Sequence, residues 1–496
     1  MEYILGIDIG TGSTKAVAVG LDKVAFDSSQ YFYPLTAEQT GYSEQDPELI
    51  WKAFQQSIEE IVLKIGDDPL AISLSSAMHS LIAVDQAGQA LAPMMTWADS
   101  RSADVATRLL ESDKGMELYE ITGTPVHSMS PLCKLIWIRE NKPELFKNTF
   151  KFISIKEYIW FKLFGAFEID HSIASCTGLM EVNQRSWSKI ALATAGITES
   201  QLSELVTTSY VRKDFVPSSS LPFLAEGTPF VIGASDGCLA NLGTGAVKPG
   251  IAALTIGTSG ALRVAGHQQV SNKKAMTFSY LLDEETFING GPVNNGGIAL
   301  KWHLKNLFDK EELSGQDYTK ALEKIEAIKP GAEGLIFLPY LQGERAPIWD
   351  SKSCGTFFGI NLDHHQPHFT RAVIEGICYA LNDVLQSLIS SGQHIEQLNV
   401  SGGFVSSAIW LQIMADITGK KLVLVTTEDA SAVGAAYLAI KAMGISKDDV
   451  IAEQEAPTVI LPNEANHQVY QGYFKIYQNL YQNLKGLMHE LKAFES

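Results

Sequence analysis

The sequence predicts an α/β protein built from two duplicated domains around an interdomain cleft. Near-repetition half a chain apart is the first reason. Gly6-Ile7-Asp8-Ile9-Gly10-Thr11-Gly12-Ser13-Thr14-Lys15 is echoed by Ala253-Leu254-Thr255-Ile256-Gly257-Thr258-Ser259-Gly260-Ala261. In each, an apolar run breaks into a Gly/Thr/Ser turn and resumes as apolar sequence. Length is the second: 496 residues are too many for one ordinary hydrophobic core. The third is that short apolar runs, read as strands, are interspersed with segments of helical spacing.

Tyr3 to Ile9 reads as a strand and Ala16 to Val19 as its partner, closed by the turn-prone Leu21-Asp22-Lys23. Asp46-Pro47-Glu48 starts a helix, with a capping side chain, proline in the first turn and an acid near the positive end. Ile50, Phe54, Ile58, Ile61 and Ile65 follow at helical spacing. Ala71 to Ser75 is a short buried strand ending at Ser76-Ala77-Met78-His79-Ser80. Leu81 to Val84 continues extended to a turn at Asp85-Gln86-Ala87-Gly88. Residues 130–225 mix helical stretches with Gly/Ser/Pro punctuation, Pro217 to Pro222 being the clearest loop. Phe230 to Gly233 is a strand running into Ala234-Ser235-Asp236-Gly237. The domain boundary is expected near residue 246, giving domains 1–246 and 247–496. Phe369, Val373, Ile377, Leu381, Leu385 and Leu388 mark a long amphipathic helix. Leu398 to Val400 is a strand ending in Ser401-Gly402-Gly403, with a helix from near Ser406. Tyr470, Phe474, Tyr477, Tyr481 and Leu484 form a C-terminal aromatic stripe that reads as packing.

The formal net charge of −18 argues against general binding of nucleic acid or an anionic membrane. It leaves an anionic small substrate open, because screening makes local charges decide binding. Five scattered cysteines without a CxxC pair predict reduced thiols. The first strand begins almost at the N-terminus, with no basic leader or cleavage site, and no apolar run approaches a membrane span; a cytoplasmic protein is expected.

Glycine lets backbone N–H groups approach a ligand, and Thr or Ser hydroxyls add donors, which suits phosphate. The first loop is neither a GxxxxGK[ST] loop nor the dinucleotide fingerprint, since Lys15 sits where a third glycine would be. Taken alone it is also compatible with a plain hairpin turn. Asp8 ends a buried strand beside that loop, where a carboxylate is costly without a cation or donors; Mg²⁺ with phosphates would account for it. Asp236, at the end of another strand, reads either as a turn aspartate or as a general base facing a substrate hydroxyl, the one acceptor that phosphoryl transfer requires. Ser401-Gly402-Gly403 opens a helix where adenine or phosphate could lie close, or is simply a strand-to-helix turn. Trp97-Ala98-Asp99-Ser100-Arg101 and Met78-His79 are candidate walls of a small-molecule pocket.

These residues resemble the FGGY family of carbohydrate kinases over nearly the whole chain. Met129 to Asn141 resembles the family's first signature. Gly355 to Ile360, continuing to His368-Phe369 and Ala372 to Glu375, resembles the second. Leu338 to Leu341, Gly343-Glu344-Arg345-Ala346-Pro347 and Val433 to Ala436 are similar to further family segments. The resemblance implies an actin/hexokinase-like (ribonuclease H-like) fold and ATP with Mg²⁺ as cofactors. It implies Asp236 as general base; Thr11, Gly12, Ser13 and Lys15 around the ATP phosphates; Asp8 near the metal; and Thr258 on the transferring phosphate. Gly297 and Lys301 would contact nucleotide, and Gly402, Gly403 and Ser407 would border adenine, Ser407 replacing the asparagine of glycerol-phosphorylating members. Met78, His79, Trp97, Asp99 and Arg101 would shape the sugar pocket. Three stretches, Ser75 to Ser80, Trp97 to Ser102 and Gly291 to Gly297, are most like the members that phosphorylate D-gluconate to 6-phospho-D-gluconate. Xylulose-phosphorylating members share the Met-His pair and a related Trp-x-Asp-x-Arg stretch but differ around Val293-Asn294-Asn295; they, or another pentulose-phosphorylating member, are the alternative. The Arg-Glu pair that holds glycerol in other members is replaced by His79-Ser80, which disfavours glycerol. An actin-like ATPase without a small substrate is a distant alternative, since fold does not fix function. The expected partners are a sugar acid or sugar and, as the family suggests, a second copy in a homodimer, with no nucleic acid or membrane.

Overall fold

Apolar runs that alternate with helical segments bury both faces of a sheet, and two such sheets organise the chain. The computed structural model describes residues 2–217, 221–308, 312–425, 429–445 and 457–495. In the first sheet, β1 (Tyr3–Ile9), β2 (Ser13–Gly20) and β3 (Ala25–Phe32) form an antiparallel meander. β4 (Ala71–Ser76) and β5 (Phe230–Ser235) extend it in parallel from β1, giving the order β3-β2-β1-β4-β5, with Val211–Arg212 at the edge. In the second sheet, β6 (Gly250–Ile256), β7 (Gly260–Gly266), β8 (Phe287–Val293), β9 (Ile395–Ser401) and β10 (Lys421–Leu424) repeat the scheme as β8-β7-β6-β9-β10. The pairing directions also match: antiparallel from β6 to β7 to β8, parallel from β6 to β9 to β10. The duplication expected from the two loops is therefore a duplication of topology. The loops, residues 10–12 and 257–259, occupy the same place in it.

Strand boundaries differ from the sequence expectation: Ala71 to Ser75 extends to Ser76, and Leu398 to Val400 widens to Ile395–Ser401. β2 starts at Ser13 rather than Ala16, and β5 reaches Ser235, so Asp236 opens the following helix. β3 has no counterpart in the sequence reading because Asp27-Ser28-Ser29-Gln30 interrupts its apolar pattern; it is an edge strand with mostly exposed side chains. Of the loop expected at Pro217 to Pro222, residues 218–220 lie outside the described residues.

Helix α1 (Pro47–Ile65) is capped as its sequence demands. Asp46 accepts from the Glu48 backbone N–H at 2.9 Å, and Gly66 ends the helix in the left-handed region. It buries Ile50, Phe54, Ile58 and Ile61 against Tyr3, Ile7 and Ile72. α2 (Pro131–Asn141), α3 (Asp236–Gly243), α4 (Gly297–Phe308) and α5 (Gln366–Ser390) follow. α5 corrects the expectation that no apolar run reaches membrane-span length. It is long and apolar enough to cross a bilayer, and 78% of its most apolar window is buried inside the second domain, as a core helix is. α6 (Ala408–Thr418), α7 (Ala430–Ala442) and α8 (Glu464–Glu495) complete the helices that frame the site. On α8, Tyr470, Tyr477 and Tyr481 are buried in the second core, as the aromatic stripe predicted.

The two halves meet where α3 crosses α7. A Cβ on Gly243 would stand 2.0 Å from the Ala430 carbonyl oxygen, and one on Gly434 2.0 Å from that of Leu239. α7, late in the chain, thereby packs under the first sheet, with Ala432, Val433, Ala436 and Ile440 against Ile4, Val17, Val19 and Val231. Backbone-to-backbone contact leaves no side chain that could rotate aside. Gly434→Ala is therefore expected to destabilise by about 1–3 kcal/mol, the usual range for overpacking. Urea unfolding measures it; an unchanged midpoint would contradict the contact.

Candidate active site

Three-residue loops between paired strands leave few backbone groups for the ladder, so neighbouring side chains must hold them. Around loop 10–12, Tyr33 donates its hydroxyl to the Gly10 carbonyl at 2.5 Å, and Gln45 donates to the Thr11 carbonyl at 2.6 Å. Trp97 donates its indole N–H to Thr11 Oγ1 at 3.0 Å, and Gln30 donates to Ser13 Oγ at 2.8 Å. Lys15 forms an ion pair at 2.5 Å with Asp429, the residue preceding α7, tying the first loop to the second half. Among the described residues, nothing beyond its two chain neighbours lies within 4 Å of where a Cβ on Gly12 would be, which leaves its backbone open to a ligand.

Asp8 accepts from Ser75 Oγ at 2.7 Å. Burial, then the nearby Asp236 charge, push its carboxyl up to about 7. Among the described residues no three His, Cys, Asp or Glu side chains gather as a metal cage. A magnesium-like ion, which keeps several waters and takes one or two carboxylates plus phosphates, fits this carboxylate better than an ion that needs a full protein cage.

Loop 257–259 is built into the start of α4. The Gly257 carbonyl accepts from the Gly297 N–H at 2.8 Å, and the Thr258 carbonyl from Gly296 and Ile298 at 3.1 Å each. A Cβ on Gly296 would fall 2.5 Å from the Ser259 carbonyl, so only glycine allows this approach. The buried Glu344 carboxylate fixes the preceding stretch, accepting from the backbone N–H groups of Asn294 and Arg345 and from the Asn295 amide.

Two cavities meet at Gly257. One, of about 300 Å³, is lined by Met78, His79, Trp97, Asp236, Arg263, Tyr280 and Arg345, with Thr255 and Ser259 of the second hairpin. The other, of about 700 Å³, is lined by Thr258, Gly297, Lys301, Gly403 and Ser407, with Tyr318, Phe404 and Trp410. Gly402 lies behind this second cavity rather than in its wall. Its φ of +100° and the 2.3 Å that would separate a Cβ from the Ile256 carbonyl explain the glycine there. Ser407 caps α6, accepting from the Trp410 N–H at 3.3 Å. That helix therefore starts two residues after the expected Ser406.

In the smaller cavity, Asp236 is the first residue of α3 and accepts from the Gly237 N–H at 2.7 Å. Burial raises its carboxyl above the ordinary range, while the Arg263 charge opposes the rise. His79 is neutral, burial holding it down at about 3, and its Nδ1–H donates to the Cys176 carbonyl at 2.8 Å. Asp99 and Arg101 do not line this cavity. They form a buried pair with contacts of 2.7–3.0 Å, Arg101 also bonds Glu44 at 2.7 Å, and its guanidinium lies 3.8 Å over the Tyr42 ring. Opposite charges so close in sequence have satisfied each other, one layer behind Trp97.

Three residues without an assigned role in the sequence reading belong to this site. Arg263 and Arg345 face the cavity directly. Lys134, buried in α2, donates to the carbonyls of His79 at 2.5 Å and Thr96 at 2.7 Å and so clamps two cavity walls together. Burial lowers its ammonium to about 7.

Residues 3–243 match the N-terminal domain of the FGGY family of carbohydrate kinases, and residues 252–443 match its C-terminal domain. The chain is 40% identical over 505 residues to a gluconokinase of Bacillus licheniformis, covering 100% of this chain and 98% of the relative. It is 31% identical over 506 residues to a xylulose kinase of Bacillus subtilis, covering 100% and 99%. The solved gluconate kinase of Lactobacillus acidophilus superposes with a TM-score of 0.92 at 34% identity, covering 97% of this chain and 98% of that one. The chain belongs to the FGGY family of carbohydrate kinases, whose phosphate donor is ATP, generally with a divalent metal.

Asp8 has its folded-state value raised, so in the free protein it destabilises as pH rises from about 4 toward 7, and a nearby cation would favour its ionised form. Asp8→Asn is expected to raise the unfolding midpoint of the free protein at pH 8 by roughly 2–4 °C, as for about 1 kcal/mol, and to weaken metal-dependent nucleotide binding. Scanning calorimetry with nucleotide titration checks both directions. Lys134→Met is expected to raise the sugar KM about tenfold or more with a smaller change in kcat and an unchanged nucleotide Kd; parallel loss of all three would mark a merely structural role.

Proposed function

From membership in that family, we propose that this chain is an ATP-dependent gluconate kinase, transferring the γ-phosphoryl group to the terminal hydroxyl of D-gluconate to give 6-phospho-D-gluconate. The observation that carries the chemistry is the junction of the two cavities at Gly257, with Asp236 on one side and Thr258 and Lys301 on the other. Gly257 is the residue that both cavity walls share, so an acceptor hydroxyl and a nucleotide phosphate would meet beside it. The choice of gluconate rests on the relatives, 40% identical for a gluconokinase against 31% for a xylulose kinase.

In this reading Asp236 accepts the proton of the primary hydroxyl as that oxygen attacks phosphorus. A carboxyl raised above its ordinary range is a stronger base than a free aspartate, and the Arg263 charge favours its ionised form against the burial that opposes it. His79 and Trp97 hold the polyol against the base. Lys15 and the open backbones at Gly12 and Gly257 meet the phosphate charge, and Gly403 and Ser407 leave room for the adenine end. Asp8 would hold Mg²⁺, which when bound offsets charge on the phosphates. Positioning and charge neutralisation then supply most of the rate, as phosphoryl transfer requires.

Asp236→Asn is expected to lower kcat by about 10²–10⁴-fold while leaving the nucleotide Kd within about twofold. A coupled assay with gluconate, xylulose and ribulose side by side tests the substrate. Preference for a ketose would overturn gluconate, and near-normal turnover by the variant would overturn the base.

A further inference from the structure

Resting on the sugar-acid reading above, we propose that Arg263 and Arg345 together form the receptor for the substrate's carboxylate and set the preference for a sugar acid over a neutral sugar. Both guanidinium groups line the cavity that holds Asp236. The Nε of each is buried without a hydrogen-bond partner. Arg345 donates from Nη2 to the Val293 carbonyl at 3.2 Å and lies 5.1 Å over the Trp97 ring, but neither group bonds a carboxylate among the described residues. The contrast is internal to the molecule. Two other buried arginines, Arg101 and Arg371, each bond a carboxylate, that of Asp99 at 2.7 Å and that of Glu375 at 2.8 Å. Glu344, next to Arg345 in sequence, spends its oxygens on Asn294, Asn295 and the Arg345 backbone.

The charge count of the cavity follows. Asp236 is its one acidic lining residue, His79 is neutral, and burial holds the Tyr280 hydroxyl protonated. Two guanidinium groups therefore line the cavity with one carboxylate; the buried Glu344 charge also acts on Arg345 but makes no hydrogen bond with its guanidinium, so both forks keep unpaired donors. A buried guanidinium donor without a partner is costly, and the fork matches a carboxylate in shape as well as charge. Arg263 is within electrostatic reach of both Asp236 and Arg345. A six-carbon acid with its terminal hydroxyl at Asp236 runs its polyol past Arg263 and brings its carboxylate to the pair. A neutral ketose would leave these buried donors unpaired, which rejects it more strongly than a missing contact would.

The experiment compares gluconate with gluconamide, its neutral isostere, in the wild type, Arg263→Met and Arg345→Met. The wild type is first run against xylulose and ribulose. A wild type that prefers a ketose removes the sugar-acid reading itself, and the proposal falls with it. Given a wild type that prefers gluconate, the expected gluconate-to-gluconamide ratio of kcat/KM is about 10²-fold or more, since the neutral ligand leaves buried donors unpaired. At least one methionine variant is expected to lower that ratio by about tenfold or more, chiefly through KM, with nucleotide Kd unchanged. If gluconate and gluconamide lose activity in parallel in both variants, the proposal is overturned while gluconate remains the substrate. Calorimetric binding of the two ligands to the wild type decides the matter even where a variant fails to fold: equal Kd values overturn it, and tighter gluconate binding supports it. Arg345→Lys, which keeps the charge without the fork, is expected to recover part of the lost preference.

Discussion

The contact between the backbones of α3 and α7 is the constraint on which the rest of this structure depends. Each sheet alone would present one short Gly/Thr hairpin to solvent. Because the helix that begins at Asp236 touches the helix that follows Asp429, the two hairpins lie on either side of that joint, with Asp236 at its start. The same crossing places Asp429 within 2.5 Å of Lys15. Glycine is required at Gly243 and Gly434 by an approach that even a methyl group would block.

Much of the fold was legible because its signals are local. Tyr3 to Ile9 is a continuous apolar run, α1 carries its own cap in Asp46 and Pro47, and α5 repeats apolar residues at helical spacing for 25 residues. β3 was not legible because an edge strand with exposed side chains lacks apolar alternation. The site divides the same way. The hairpin loops and Asp236 announce themselves through glycine and a strand end. Arg263 does not: in Ala261-Leu262-Arg263-Val264 it reads as the outward side chain of a strand, and only residues of the first half, Met78, His79, Trp97 and Asp236, turn that face into a cavity wall. Lys134, within an apolar helix, reads as the solvated position, yet α2 is buried on most of its surface. Asp99 and Arg101 mislead in the opposite sense. Their charges suggest ligand contact, and geometry shows that each is the other's ligand.

Charge within the cleft explains why a strongly acidic protein can serve anionic substrates. At physiological ionic strength, charges beyond about 8 Å are largely screened, so the net −18 matters less than the groups facing the cavity. Those groups are arranged as two opposed imbalances. At the strand ends of the first sheet, the Asp236 charge raises Asp8, where burial already disfavours ionisation. On the second half's side of the same cavity, the Arg263 charge bears on Arg345, and burial there disfavours the cations. Either imbalance alone would weaken the free protein. A cation beside Asp8 would relieve the first and an anion in the cavity the second, so each would stabilise the bound protein through a charge that costs the free protein stability.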